Sequence, residues 1–104
     1  MNPYDIHIAY ASWGSDGKRR PVLVLSADQK KVAVFQITSR YDSKNAVIQA
    51  QYIAIDDWAQ AGLTKQSYID IGRILDLPVA AVWLTPIGKL SKNDLNKLLN
   101  AMNE

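Results

Sequence analysis

Between Pro21 and Thr38 the chain offers two runs too short and too β-branched for helices. They are Val22, Leu23, Val24 and Leu25, and then "VAVFQIT" from Val32 to Thr38. Apolar runs of this length bounded by turn residues read as strands. The intervening "SADQKK" predicts a hairpin. Along the second strand, Val32, Val34, Gln36 and Thr38 share one face, and Ala33, Phe35, Ile37 and Ser39 share the other, because successive strand side chains alternate. A hairpin sets the start of one strand beside the end of the next, so Arg20 and Thr38 are expected as neighbours.

The rest of the chain continues in short elements. "AVIQAQYIAI", residues 46 to 55, reads as a third strand, and "DDWAQAG" as a short helix with Asp56 at its N-cap and Gly62 at its end. "QSYIDIGRILDL" and "AAVWLTPIG" read as further strands, with Pro78 between them and Pro86 confining the last to an edge or a strand end. Ser91 followed by Asp94 resembles a capping box, and Leu95, Leu98, Leu99 and Met102 recur at helical spacing, predicting a C-terminal helix packed on the sheet. Trp58 and Trp83 are expected in the core. With 104 residues, 48% of them hydrophobic, and no linker or repeat, the expectation is one domain over residues 1–104, mostly β with peripheral helices.

Composition removes much chemistry. There is no cysteine and a single histidine, His7, so thiolate sites and histidine-rich metal sites are excluded within one protomer, and no metal or cofactor is expected. Asp56 and Asp57 read as helix-capping residues rather than magnesium ligands. "GSDG" lacks the Lys-Ser/Thr that follows in a phosphate-binding loop. No run approaches the roughly 20 apolar residues of a membrane span, and the opening lacks signal-peptide character, so a cytoplasmic protein is expected.

Twelve Lys plus Arg against ten Asp plus Glu leave a formal charge of only +2, but Gly17, Lys18, Arg19 and Arg20 concentrate positive charge beside the first strand. An arginine carries a permanent charge on a planar fork of donors suited to phosphate oxygens, and Thr38 and Ser39 add directional hydroxyls. Together such groups hold a phosphodiester. RNA carries its own nucleophile in the 2′-hydroxyl, so a protein that orients the groups and stabilises charge needs no metal. The residues admit another reading, in which the basic segment is a solvated turn and Thr38 is present for β-propensity.

The ordered blocks resemble the MazF/PemK family of toxin endoribonucleases of type II toxin–antitoxin systems. "GKRRPVLVLS" is similar to the family's Gly-x-Arg-Pro followed by an apolar strand ending in Ser, and "VFQITSR" to its second strand ending in Thr-Ser. "QAGLTKQSYIDI" resembles its Gly-Leu-x-x-x-Ser block, and "IGKLSKNDLNKLL" its Ile-Gly-x-Leu-Ser/Thr entry to the C-terminal helix. The blocks run in the family's order over about residues 5 to 100.

This resemblance implies an SH3-like barrel, a homodimer, a cognate antitoxin partner and metal-independent, sequence-specific cleavage of single-stranded RNA (mRNA). The expected products are 2′,3′-cyclic phosphate and 5′-hydroxyl ends. It implies Arg20 and Thr38 as catalytic residues, and Lys18, Arg19, Gln36 and Ser39 are candidate RNA contacts by their proximity to the two matched blocks. Trp13 is a candidate for stacking on an unpaired base, and Tyr41 a further one. Promoter DNA enters as a partner through the antitoxin complex.

Two departures from the family pattern stand out. Tyr4-Asp5-Ile6 replaces its Gly-Asp-Ile and is followed by His7, read as a half-buried strand residue that would carry protons only if it faced the groove. The turn from Trp13 to Gly17 is short, implying a more open site. The rival to an RNA-cleaving toxin is a noncatalytic SH3-like module that binds a protein or nucleic acid through the same groove. An apolar face including Val82 and Leu84 that needs covering also points to a dimer.

Overall fold

The computed structural model describes residues 1–11 and 18–103. Six strands, two helices and one short 3₁₀ turn follow in the order β1 (Asp5–Ala11), β2 (Lys18–Ala27), β3 (Lys31–Thr38), α1 (Ala46–Gln49), β4 (Tyr52–Ile55), β5 (Ser67–Pro78), the 3₁₀ turn (Val79–Ala81), β6 (Gly88–Lys89) and α2 (Lys92–Met102). The strands form one antiparallel sheet in the order β4-β5-β3-β2-β1-β6. Mostly β and strongly curled, the sheet agrees with the SH3-like barrel expected from sequence.

The curl has local causes. The β2–β3 register shifts at Leu25, where one residue of β2 lies between the pairs Val24–Val34 and Ser26–Ala33. A larger irregularity follows on β5, where Val34 pairs with Leu75 but Gln36 pairs with Asp70, so Ile71 to Ile74 are looped out against the single residue Phe35. Extra residues in one strand bend it and increase its twist. The bent sheet buries apolar side chains on both faces. Ile6, Leu23, Phe35, Ile37, Ile55, Ile69 and Leu98 form one cluster, while Ala9, Val22, Val24, Val32, Val34 and Val82 form a second on the opposite face.

The β2–β3 hairpin forms as expected, closed by Asp28, whose carboxylate accepts the backbone N–H groups of Lys30 (2.7 Å) and Lys31 (2.8 Å). Its first strand starts earlier than the apolar run suggests, so Arg19 and Arg20 are strand residues rather than turn residues. The C-terminal helix is also as read. Ser91 Oγ accepts from the Asp94 N–H at 3.1 Å, and Leu98 is fully buried.

Four expectations need correction. Residues 46–49 are a helical turn, not strand, because Asn45 caps it by accepting the Ile48 N–H at 3.0 Å. Residues 56–62 form successive turns instead of the expected helix. Asp56 does not cap them, and its N–H is held by Asp94. The run from Ala80 to Ile87 is not a continuous strand either, and of the expected strand Gly88 alone enters β6. Val82 makes an isolated bridge to Ala9, and Trp83, expected in the core, is 46% exposed while Trp58 packs partly buried against the first cluster.

Glycines permit one close crossing. Gly62 has φ of +87°, which favours glycine. A Cβ on Gly62 would strike the Ile87 carbonyl, and one on Gly88 would strike the Ala61 carbonyl. The two backbones therefore touch, tying the turns after β4 to the entry of β6.

Candidate active site

Pro21 lacks an N–H and cannot continue a hydrogen-bond ladder as donor. The β2–β3 register ends beside it at Val22–Gln36, while the end of β3 goes on pairing with β5 through Ile37–Ile69 and Thr38–Tyr68. The start of β2 stays on β1, with Ala9 opposite Arg20 and Tyr10 opposite Arg19. A cleft of about 240 Å³ opens where the strands part.

Arg19, Arg20 and Pro21 line one side of this cleft, Ile37, Thr38, Ser39 and Arg40 the other, and Leu63, Thr64, Lys65 and Ser67 close it. Four of these residues are cationic and none is acidic, so the walls favour an anion. Arg20 is half-buried, and its Nε is out of contact with water and lacks a hydrogen-bond partner among the described residues. A buried guanidinium donor without a partner is costly.

Hydroxyl roles differ around the cleft. Thr38 Oγ1 accepts the backbone N–H of Arg40 at 3.1 Å, which fixes the oxygen and leaves the hydroxyl proton to donate. Ser67 is 5% exposed and donates to the Lys65 carbonyl at 3.0 Å, so its hydroxyl serves the loop. Ser39 and Thr64 are exposed on the rim.

The expected site residues divide as follows. Arg20, Thr38, Arg19 and Ser39 come together on the cleft. Arg19 is also engaged on its far side, with its guanidinium carbon 5.1 Å from the Trp83 ring centroid in a cation–π contact. Lys18 opens β2 and is exposed but does not line the cleft. Gln36 lies in a separate crevice with Asp70, Arg73 and Leu75. Trp13 lies outside the described residues.

His7 is 1% exposed, with Nδ1 2.7 Å from the Trp83 carbonyl oxygen, and it does not line the cleft. It is thus fully buried where half-burial was expected. The Asp56–Asp57 pair does not cap a helix over residues 56–62. Asp56 pairs with Lys97 Nζ at 2.9 Å, and Asp57 accepts from Ser91 Oγ at 2.6 Å. Among the described residues there is no group of three or more metal-ligating side chains, and no helix is long and apolar enough to cross a membrane.

Reading the sequence missed Arg40, Thr64 and Lys65. Arg40 directly follows the Thr-Ser pair. The other two stand inside "GLTKQS", a block that was legible as a unit without any role for its individual residues.

Comparison with known proteins gives the arrangement a family. No curated protein sequence matches the chain. Among solved structures, the chain is similar to the Mycobacterium tuberculosis toxin MazF-mt6, with a TM-score of 0.71 and 26% sequence identity over 95% of this chain and 92% of that one. A family model described as the PemK-like, MazF-like toxin of type II toxin–antitoxin systems matches residues 4–104. The chain therefore belongs to the PemK-like, MazF-like toxins, a family whose members are known as endoribonucleases and whose toxins act opposite an antitoxin.

Proposed function

We propose that this protein is a sequence-specific endoribonuclease that cuts single-stranded RNA without a metal, in the cleft between Arg20 and Thr38. The observation that carries this reading is the cleft itself, where the half-buried Arg20 and a threonine hydroxyl free to donate stand with Arg19, Arg40 and Lys65 and no carboxylate lies among the described lining residues.

In the reaction the substrate's 2′-oxygen forms a bond to the adjacent phosphorus while the bond from phosphorus to the 5′-oxygen breaks. One proton leaves the 2′-hydroxyl and one reaches the departing 5′-oxygen. The products are a 2′,3′-cyclic phosphate and a 5′-hydroxyl. The guanidinium of an arginine is a permanent cation, so the role of Arg20 is to stabilise charge on the phosphoryl oxygens. Thr38 donates a hydrogen bond to the same phosphate. Ser39, Arg19, Arg40 and Lys65 hold flanking phosphates, while Lys18 and Gln36 contact the strand further out.

The protein works as a homodimer and is silenced by its cognate antitoxin, and the toxin–antitoxin complex sits on promoter DNA. Of the apolar face expected to need covering, Val82 is buried at 5% exposure, whereas Leu84 is 76% exposed and its neighbour Trp83 46%, and these two supply the apolar surface for self-association. Incubating the purified protein with a long single-stranded RNA in excess chelator tests the chemistry. Fragments with cyclic-phosphate and 5′-hydroxyl ends are expected. Cleavage only after a divalent cation is added would refute the metal-independent mechanism, and intact RNA would favour the noncatalytic binding module.

A further inference from the structure

On the β3–β5 ladder Thr38 pairs with Tyr68, and Tyr68 pairs in turn with Ala54 on β4. Residues directly opposite each other in an antiparallel sheet point to the same face. Tyr68 therefore stands beside Thr38 on the face away from Ser67 and Ile69, which are buried on the other side. On the next rung Gln36 pairs with Asp70, and Asp70 with Tyr52, which brings a second tyrosine to this face.

Tyr41 completes the group. Its ring stacks on Tyr68 with centroids 4.5 Å apart and planes 15° from parallel, and Tyr52 lies 6.2 Å from Tyr41 and 6.5 Å from Tyr68. The loop that carries Tyr41 is pinned, since its carbonyl accepts from Gln49 Nε2 at 2.9 Å and from the Lys44 N–H at 3.1 Å. All three rings are half-buried, so each keeps part of its surface open. Burial and the Asp70 carboxylate push the Tyr52 phenol upward, keeping it a neutral donor.

We propose that Tyr41 and Tyr68 form a shelf on which an unpaired nucleobase next to the scissile phosphate stacks. The inference rests on the RNA-cleaving reading above and adds a base subsite to it. None of the three tyrosines lines the cleft, but Tyr68 is paired with Thr38, which does, so a strand with its phosphate at Arg20 and Thr38 would meet Tyr68 as it leaves the cleft on this face. Stacked aromatic rings accept any base face, and the rung beyond supplies Gln36 and Asp70, which can read a base edge by donating and accepting hydrogen bonds. Arg40, between Thr38 and Tyr41 in the chain, brings cationic charge to the same edge, which favours a polyanion over an apolar protein segment.

The test uses single-stranded RNA carrying a fluorescent purine analogue at each position around the cut in turn. It is bound to the protein in an Arg20→Ala background, in which cleavage is too slow to interfere with the binding measurement. Quenching at one position, about tenfold weaker binding with loss of that quenching in Tyr41→Leu and in Tyr68→Leu, and both properties retained in Tyr68→Phe are expected. Thermal unfolding verifies that each variant folds. If Tyr68→Leu does not, Tyr41→Leu, in a loop, still decides.

Unchanged affinity and quenching in the leucine variants would overturn the shelf while leaving the nuclease intact. Leucine variants that bind RNA normally but lose dimerisation or antitoxin binding would assign the rings to a protein interface and overturn it as well. If the protein with Arg20 in place neither binds nor cuts RNA, the functional reading itself fails and the shelf falls with it.

Discussion

Asp94 accepts the backbone N–H of Asp57 on Oδ2 at 2.9 Å, and its other oxygen takes the N–H of Asp56 at 3.0 Å. Asp94 lies in the first turn of α2 and is 1% exposed, so this carboxylate bolts the helix to the turn that follows β4. Ser91 closes the connection by donating to Asp57 Oδ2 while capping the helix at Asp94.

Replacing Asp94 with Asn leaves one oxygen for two N–H donors and turns an amide NH₂ toward one of them. A buried donor left unpaired costs about 1–3 kcal/mol. For a domain of this size, thermal unfolding of Asp94→Asn is expected to fall by about 4–8 °C per kcal/mol lost. An unchanged midpoint would remove the bolt from the account.

Acid should weaken the same corner from its exposed side. The hydrogen bond from Lys97 holds the Asp56 carboxyl below its ordinary value, and Asp28 is lowered likewise by the N–H groups of Lys31 and Lys30. A carboxylate whose folded value is depressed contributes stability above its unfolded value of about 3.9 and loses that contribution as pH falls through the folded value. The Asp56–Lys97 pair is solvent-exposed, so its contribution is at most about 1 kcal/mol. Unfolding midpoints of the wild type and Asp56→Asn, measured from neutral pH downward, should differ near neutrality and converge in acid. A gap that widens in acid would contradict the assignment.

Gly62→Ala forces a side chain into the left-handed region and against the Ile87 carbonyl. The conformational part alone is about 1–2 kcal/mol, and the contact adds to it. Denaturant titration should show a loss of at least about 2 kcal/mol. A variant as stable as wild type would mean that the turns after β4 do not pack on β6 as described.

At the cleft, Thr38→Val removes the donor while keeping the β-branched shape, and Thr38→Ser keeps the donor. Loss of one donor to a developing oxyanion typically slows an enzyme by about 10²-fold or more. Single-turnover cleavage should be slowed to that extent in Thr38→Val and largely preserved in Thr38→Ser. Equal rates in wild type and Thr38→Val would restrict Thr38 to its turn with Arg40.

Legibility in the sequence followed the range of the interactions. The β2–β3 hairpin and α2 were readable because their determinants, the apolar runs, the Asp28 turn and the Ser91 cap, lie within a few residues of what they organise. Residues 46–49 misled because Ala46, Val47 and Ile48 are strand-like, yet Asn45 caps a turn and Val47 stays 73% exposed. The run containing Trp83 and Leu84 was likewise over-read as strand. Two prolines flank it, and it meets β1 through an isolated bridge at Val82 and single backbone bonds from Trp83 and Ile87 rather than a continuous ladder.

Arg20 and Thr38 were recognisable from their motifs. Tyr41, Tyr52 and Tyr68 were not recognisable as a group, since the β5–β4 register brings Tyr52 and Tyr68 to one face and the loop after β3 lays Tyr41 on them. Gln36 reads as a site residue by its closeness to Thr38 in the chain, but two positions along a strand move it to a different crevice.

The decisive comparison is the single-turnover cleavage rate of Arg20→Ala against wild type on one single-stranded RNA in excess chelator, with both proteins shown to be folded by thermal unfolding. The account predicts cleavage by the wild type and a rate lower by about 10²-fold or more in the variant, because the charge that stabilises the phosphoryl oxygens is gone. Cleavage by folded Arg20→Ala at the wild-type rate would contradict it and move the chemistry away from this cleft.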